Sequence, residues 1–300
     1  MAKKRAAKEP EHVWLLGAHM SVAGGIHRGV DAAHSLSMTA CQVFTKNASQ
    51  WACKPLVEVD CELFAASVAK TGIAEVYSHA SYLINLATPD DVLWNKSIDA
   101  TVVELQRAAM LGIKGVVLHP GAFVASTEAD GVGRVHEALL QIIDAIESQD
   151  VRLLVENTAG QGTCLGRTVS QLQAIFGDLT DHPKLGLCID TCHAHAAGYP
   201  LDGADGLHRL VDELQEAGLL NRVALIHLND SLKPAGSRVD RHAHVGDGTI
   251  GGEGIGRFMS HDAFRRLPMV LETAKGTNDD GEDWDAVNLR RLRTLVGAGS

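Results

Sequence analysis

Short runs of aliphatic residues recur along the chain, and each is followed by a stretch with apolar positions spaced three to four residues apart. Runs rich in Val, Leu and Ile are typical of buried strands, and the longer spacing predicts amphipathic helices. We expect helices over 95–111, 135–147 and 207–217. The eight predicted strands are at 13–19, 41–46, 74–79, 115–119, 151–156, 185–190, 223–227 and 268–272.

Strands that alternate with helices predict a parallel sheet, because parallel neighbours need a crossover connection. Eight such units fit a single α/β domain, a (β/α)8 TIM barrel, with its active site at the C-terminal face of the strands. A doubly wound open sheet is the alternative, and it often carries a glycine-rich phosphate loop after its first strand. Here Gly24 and Gly25 follow the first run without a G-x-G-x-x-G pattern, and the glycines of 246–254 come late and are interpreted as turns.

The residues that end the eight runs would all reach one rim of a barrel. Seven of these eight side chains are of metal-ligand type. Carboxylates packed against imidazoles in a confined mouth need a cation to balance them, so we predict a metal site at this rim. The eight residues are His19, Lys46, His79, His119, Glu156, Asp190, His227 and Glu272.

Further candidate ligands follow the sixth and seventh strands, namely His193 and the pair Asp240 and His242. Sites rich in imidazole and free of thiols suit zinc, with Mn2+ as an alternative at one site. With His19 left aside, nine candidates remain, which implies two or three ions. Paired ions clamp the attacking and leaving oxygens of a phosphoryl displacement, so a phosphoesterase is indicated. The nine predicted metal ligands are His79, His119, Glu156, Asp190, His193, His227, Asp240, His242 and Glu272, with Glu156 and Glu272 as candidate catalytic residues.

Composition narrows the class of protein. The chain has 27 Lys and Arg against 37 Asp and Glu, a net charge of −10, and 45% hydrophobic residues, which excludes a disordered or fibrous chain. No apolar stretch is long enough to span a bilayer and no export signal is seen, so we expect a cytoplasmic protein. The six cysteines form no Cys-x-x-Cys pair and are interpreted as reduced thiols. We divide the chain into a flexible basic N-terminal tail, 1–12, and one domain, 13–300.

Nine ordered motifs run through the chain. They are Gly17-Ala-His-Met-Ser-Val-Ala-Gly-Gly25, Phe44-Thr-Lys-Asn47, His79-Ala-Ser-Tyr-Leu-Ile-Asn85, Leu118-His-Pro-Gly121, Val155-Glu-Asn-Thr-Ala-Gly-Gln-Gly162, Cys188-Ile-Asp-Thr-Cys-His-Ala194, Ile226-His-Leu-Asn-Asp230, Gly236-Ser-Arg-Val-Asp-Arg-His242 and Leu271-Glu-Thr273. Over about residues 13 to 275 they closely resemble endonuclease IV, the zinc-dependent apurinic/apyrimidinic (AP) endonuclease family 2.

The resemblance implies a DNA-repair hydrolase with three Zn2+ ions per chain. By position, His79, His119 and Glu156 hold the first ion, Glu156 with Asp190, His227 and Glu272 hold the second, and His193, Asp240 and His242 hold the third. The implied partner is double-stranded DNA with abasic sites or blocked 3′ ends, and no membrane. Cleavage 5′ to the abasic site leaves a 3′-hydroxyl and a 5′-deoxyribose phosphate, with hydroxide between the first two ions as nucleophile. We expect a monomer.

The same family bends DNA and flips the abasic nucleotide out of the duplex, filling the gap with side chains of its rim loops. Flipping costs least where a base is already missing. Relatives commonly carry Arg at the position of Ser49, and a serine supplies neither its charge nor its length. We therefore expect cleavage to persist with weaker DNA contacts. The residues that match DNA contacts are Ser49, Gln50, Tyr82, Leu83, Arg238 and Arg241.

A metal-dependent sugar isomerase or epimerase is the main alternative function, because it shares the barrel. Its one-metal site also uses two Glu, one Asp and one His, so the proposed second ion alone does not discriminate between the two. The five other ligands do, since one-metal enolisation has no need of them. A catalytically silent DNA-binding module would tolerate the loss of some ligands, and none of the nine is lost.

Overall fold

The computed structural model describes residues 13–73 and 75–297. The predicted basic tail at 1–12 lies outside these residues, as does Ala74 at the start of the third predicted strand. Eight parallel strands close into a barrel in the order β1-β8-β7-β6-β5-β4-β3-β2, and the predicted TIM barrel is confirmed. The strands are β1 (Leu16–Met20), β2 (Ala40–Val43), β3 (Glu75–His79), β4 (Gly115–Leu118), β5 (Arg152–Glu156), β6 (Leu185–Asp190), β7 (Val223–His227) and β8 (Met269–Leu271).

Helices cover the outside of the barrel in the described part of the chain. The three predicted helices correspond to α3, α4 and α7, and each begins three to seven residues earlier than predicted. The Asp90 side chain accepts from Leu93 N–H, and Thr127 accepts from Asp130 N–H, so capping sets the starts of α3 and α4. The helices are α1 (Ile26–Ser35), α2 (Glu58–Thr71), α3 (Asp91–Met110), α4 (Glu128–Ala145), α5 (Val169–Phe176), α6 (Thr191–Ala197), α7 (Ala204–Glu216), α8 (Gly251–Ser260) and α9 (Trp284–Gly297).

A layer of buried, mostly apolar side chains fills the interior of the barrel. This layer forms the floor beneath the C-terminal ends of the strands. This floor consists of Tyr77, Val117, Leu154, Cys188, Leu225 and Val270. Side chains two residues apart on a strand share a face. Each floor residue is therefore followed, one layer higher, by a polar residue at the rim. These six rim residues are His79, His119, Glu156, Asp190, His227 and Glu272.

Two features of the loops depart from the sequence pattern. The residues Asp230–Ser231 and His242–Ala243 form a two-residue antiparallel hairpin after β7, which closes a long loop. The late glycines are turns only in part, because Gly251 opens α8. Among the described residues, no helix is long and apolar enough to cross a membrane.

Candidate metal centre

Glu156 lies at the centre of the rim and is fully buried. Its Oε2 atom is 3.0 Å from His119 Nε2 and 3.4 Å from His79 Nε2. Its Oε1 atom is 2.9 Å from His227 Nδ1, which in turn is 3.1 Å from Glu272 Oε2. One carboxylate therefore joins two groups of candidate ligand atoms, and the family resemblance implies a bridging role for Glu156.

A second set of ligand atoms lies beside the first. The Asp190 side chain caps α6 by accepting from His193 N–H at 2.8 Å, so the aspartate fixes the position of the histidine three residues later. His193 Nε2 is 3.1 Å from Asp240 Oδ2, and His242 Nε2 is 3.3 Å from Asp240 Oδ1 and 3.5 Å from Asp190 Oδ2. The structure thus brings all nine predicted ligands together.

The hydrogen bonds of the histidines show which ring nitrogen is free. In His79, His193 and His242 the Nδ1 atom faces a backbone carbonyl oxygen, of Ala80, Asn157 and Glu272 respectively, at 2.8–3.0 Å. A carbonyl oxygen only accepts, so Nδ1 carries the proton. The Nε2 lone pair of each ring then points into the cavity, which is the usual arrangement of metal-binding histidines.

The pKa values of the clustered side chains show that their carboxylates are ionised next to imidazoles. Burial opposes ionisation, but His227 and His119 hold the pKa of Glu156 well below its usual value. Likewise, against the effect of burial, His193 and His242 lower the pKa of Asp240 to about 2. Burial acts to lower the pKa of His193, yet Asp190 and Asp240 raise it well above the ordinary value. The carboxylates are therefore held ionised and attract positive charge, which either a proton on a neighbouring imidazole or a bound metal ion can supply.

The donor set fits zinc. Two buried atoms aimed into the cluster, Glu156 Oε2 and His242 Nε2, have no hydrogen-bond partner in the part of the chain that the structure describes. Ligand atoms around one tetrahedral zinc ion lie about 3.3 Å apart when the bonds are about 2.0–2.1 Å, and the contacts above span 2.9–3.5 Å. Three groups of these side chains have ligand atoms within 4.8 Å of one another: His79, His119 and Glu156; Glu156, Asp190, His227 and Glu272; and Asp190, His193 and His242. The first two are the predicted sets, and the third has Asp190 where the predicted set has Asp240.

Asp230 holds the loop that carries Asp240 and His242. Its buried carboxylate accepts five backbone N–H groups at 2.8–3.3 Å, those of Ser231, Gly246, Gly248, Ile250 and Gly251. A Cβ atom on Gly248 would lie 2.4 Å from Asp230 Oδ1, so only glycine fits there. The late glycines therefore form a concave anion site whose occupant is a side chain of the same chain.

A cavity of about 470 Å³ opens above the ligands. Tyr82 and Arg241 line it, together with His19, Phe44 and Lys275. Tyr82 is 66% exposed, and its ring lies edge-on to Phe44 at 5.6 Å. The other predicted DNA contacts are on the rim loops outside the lining: Ser49, Gln50 and Arg238 are exposed and Leu83 is half-buried.

Lys46 is not at the end of a strand, because β2 stops at Val43. Its ammonium group is 3.4 Å from Glu104 Oε1, on α3. The same carboxylate accepts from Thr45 Oγ1 at 3.0 Å and from Ser81 N–H at 3.2 Å. Glu104 thus ties the loops after β2 and β3, which carry Ser49 and Tyr82, to one helix.

Sequence reasoning missed four residues that support the cluster, which are Gln42, Glu104, Asn229 and Asp230. The Asn229 amide donates to Asp190 Oδ2 at 2.7 Å and its oxygen accepts from Glu272 N–H at 2.7 Å, so it joins two ligands. Asn229 and Asp230 stand in the motif Ile226-His-Leu-Asn-Asp230, which was the available signal. Gln42 and Glu104 gave none, because each is one polar residue in an ordinary strand or helix.

Comparison with known proteins identifies the family to which the chain is related. The sequence model of the family described as xylose isomerase-like TIM barrel, AP endonuclease family 2, matches residues 30–295. The "Probable endonuclease 4" of Geobacter sp. (strain M21) is 41% identical over 282 residues, which cover 94% of this chain and 99% of that protein.

Solved structures show the same relationship. The crystal structure of endonuclease IV from Thermus thermophilus superposes with a TM-score of 0.82 at 36% identity, covering 94% of this chain and 99% of the other. A D-tagatose 3-epimerase-like protein superposes with a TM-score of 0.72 at 18% identity, covering 94% and 97%, which shows the fold alone. The chain therefore belongs to the endonuclease IV family of AP endonucleases, which are metal-dependent hydrolases.

Proposed function

We propose that this protein repairs DNA by hydrolysing the phosphodiester on the 5′ side of an abasic site in double-stranded DNA. The products are a 3′-hydroxyl and a 5′-deoxyribose phosphate, and the same site removes blocking groups from 3′ ends. The observation that carries the proposal is the convergence of nine ligand side chains in which four carboxylates face the bare nitrogens of imidazoles. A one-metal sugar isomerase or epimerase has no use for five of these groups.

The residues assigned to three zinc ions are those of the sequence analysis. His79, His119 and Glu156 would hold the first, Glu156, Asp190, His227 and Glu272 the second, and His193, Asp240 and His242 the third. When bound, zinc supplies an acidified water near neutral pH and positive charge toward the phosphate oxygens. All nine groups come from one chain, which supports a monomer as the active unit.

The remaining residues of the cavity would position the DNA. Tyr82 stands at the mouth with Phe44 against its ring, so its exposed face is available to stack where the abasic nucleotide leaves the duplex. Arg241 lines the cavity and forms no ion pair among the described residues, so its guanidinium is available for a backbone phosphate. Arg238 and Arg241 share one exposed loop, and both would act on the strand near the cleavage point.

Incision of a defined substrate tests the proposal. A duplex with one tetrahydrofuran abasic analogue should be nicked on its 5′ side, and the matching intact duplex should stay whole. Metal analysis should find two to three ions per chain, chiefly zinc, and chelation should remove the activity. Interconversion of an aldose and a ketose without nicking would overturn the proposal in favour of the isomerase.

The variant Ser49→Arg should bind nicked DNA more tightly. Ser49 is exposed, and its backbone N–H donates to Asn47 Oδ1 at 2.9 Å, so an arginine fits at this position without disturbing the core. One exposed charge contact contributes up to about 1 kcal/mol, which is about fivefold in affinity. Fluorescence anisotropy with the nicked product duplex measures this effect, and salt should weaken the variant more steeply. Ser49→Gln adds length without charge, and equal tightening by both variants would contradict the explanation.

A further inference from the structure

Gln42 is a buried amide on β2 that contacts two of the proposed metal ligands. Its Nε2 atom is 2.6 Å from Glu272 Oε1, and its Oε1 atom is 2.9 Å from His227 Nε2. The same Nε2 atom is 3.0 Å from His19 Nδ1. Glu272 and His227 are both assigned to the proposed second ion. Gln42, which is far from them in the sequence, contacts both side chains.

Elementary hydrogen-bond chemistry fixes the orientation of this amide. An ionised carboxylate only accepts hydrogen bonds, so the NH2 group of Gln42 must face Glu272. The amide oxygen then faces His227, and an oxygen of this kind also only accepts. His227 must therefore carry a proton on Nε2, and its Nδ1 atom is left to face the cavity.

The position of that Nδ1 atom explains why the orientation matters. It is 2.9 Å from Glu156 Oε1 and 3.1 Å from Glu272 Oε2, which are both acceptors. In the competing tautomer, Nδ1 carries a proton and donates a hydrogen bond to Glu156. That proton occupies the lone pair of Nδ1 that a metal ion needs. By accepting the Nε2 proton, Gln42 favours the tautomer in which Nδ1 is bare.

We propose that Gln42 is a positioning residue of the metal centre, which selects Nδ1 as the ligand atom of His227 and orients the carboxylate of Glu272. The inference rests on the proposed zinc site and deepens it. Partners of this kind typically change metal affinity or activity by about 10- to 100-fold when they are removed. His79, His193 and His242 use backbone carbonyls for the same purpose, so His227 alone among these four depends on a replaceable side chain.

The test compares Gln42→Met with Gln171→Met. Methionine keeps the length and apolar bulk of glutamine but neither donates nor accepts strongly. Gln171 is also a buried glutamine, and its oxygen accepts only from the backbone N–H groups of Gly166 and Arg167. Competition with a chelating indicator should show one zinc ion bound about 10- to 100-fold more weakly in Gln42→Met, and unchanged zinc affinity in Gln171→Met. Gln42→Ala, which only removes atoms, should show the same loss and decides the matter if the methionine variant does not fold.

A spectroscopic readout separates positioning from a general loss of stability. In the cobalt-loaded protein, the ring N–H proton of each ligand histidine gives a shifted proton resonance that exchanges with solvent. The resonance of His227 should move or disappear in Gln42→Met, and those of His79, His193 and His242 should remain. Zinc affinity within about twofold of the parent protein, well short of the expected loss, with all resonances in place would overturn the role of Gln42. A parent protein that binds no zinc would instead overturn the proposed function.

Discussion

Replacement of Glu156 by glutamine is expected to abolish incision of an abasic duplex and to leave the barrel folded. The carboxylate is fully buried, and each of its oxygens contacts two imidazoles: Oε2 those of His79 and His119, and Oε1 those of His193 and His227. Glutamine has nearly the same shape but no charge, and its NH2 group has no lone pair to offer. Two proposed ions thereby lose their shared ligand.

The expected decrease in kcat is at least about 10²-fold, the scale for the loss of one preorganised electrostatic contact. Gel analysis of the tetrahydrofuran duplex under zinc-replete conditions measures it, with circular dichroism to confirm the fold. Glu253→Gln, at an exposed position on α8, is the matched control and should cleave normally. Full activity in the Glu156 variant would refute the bridging assignment.

The largest effect on stability is expected from Glu104→Ala. The Glu104 and Lys46 side chains are 1% and 3% exposed, so the substitution leaves an ammonium group without its counter-charge away from water. It also removes the acceptor of Thr45 Oγ1 and Ser81 N–H. Breaking a buried ion pair on one side costs about 3–5 kcal/mol in the free energy of unfolding.

Urea denaturation monitored by circular dichroism tests this value. Lys114→Ala serves as control, because the Lys114–Glu75 pair is exposed on its lysine side and such pairs contribute about 1 kcal/mol or less. Equal destabilisation by both variants would show that burial of the Glu104 pair does not set its strength. Because Glu104 anchors the loops of Ser49 and Tyr82, its loss should also weaken binding of the nicked duplex.

The barrel and the six candidate ligands at the strand ends were accessible from the sequence for one physical reason. Strand residues two apart share a face, so Leu154 and Glu156, or Leu225 and His227, indicate a floor and a rim in the local pattern alone. The early starts of α3 and α4 were not visible in that way, because only the caps at Asp90 and Thr127 mark them.

The supporting residues were inaccessible because their partners are far away in the sequence. Gln42 meets Glu272 only because the barrel closes, with β1 paired to both β2 and β8. Lys46 was grouped with the rim as the last residue of a predicted strand, and its true partner, Glu104, lies in the middle of a helix with no local mark. Contacts of this kind arise from the way the whole barrel folds and closes, so the periodicity of hydrophobic residues in the sequence does not reveal them.

The attachment of the long loop by Asp230 has a consequence for protein engineering. The carboxylate holds main-chain amides, and the segment 232–239 between the two hairpin strands is largely exposed. The side chains of that segment therefore contribute little to closing the loop, because its own main chain is held on α6 by the N–H groups of Gly236 and Arg238. Foreign sequences of equal length, chosen to recognise other damaged polymers, should be graftable there while Asp240 and His242 keep their places.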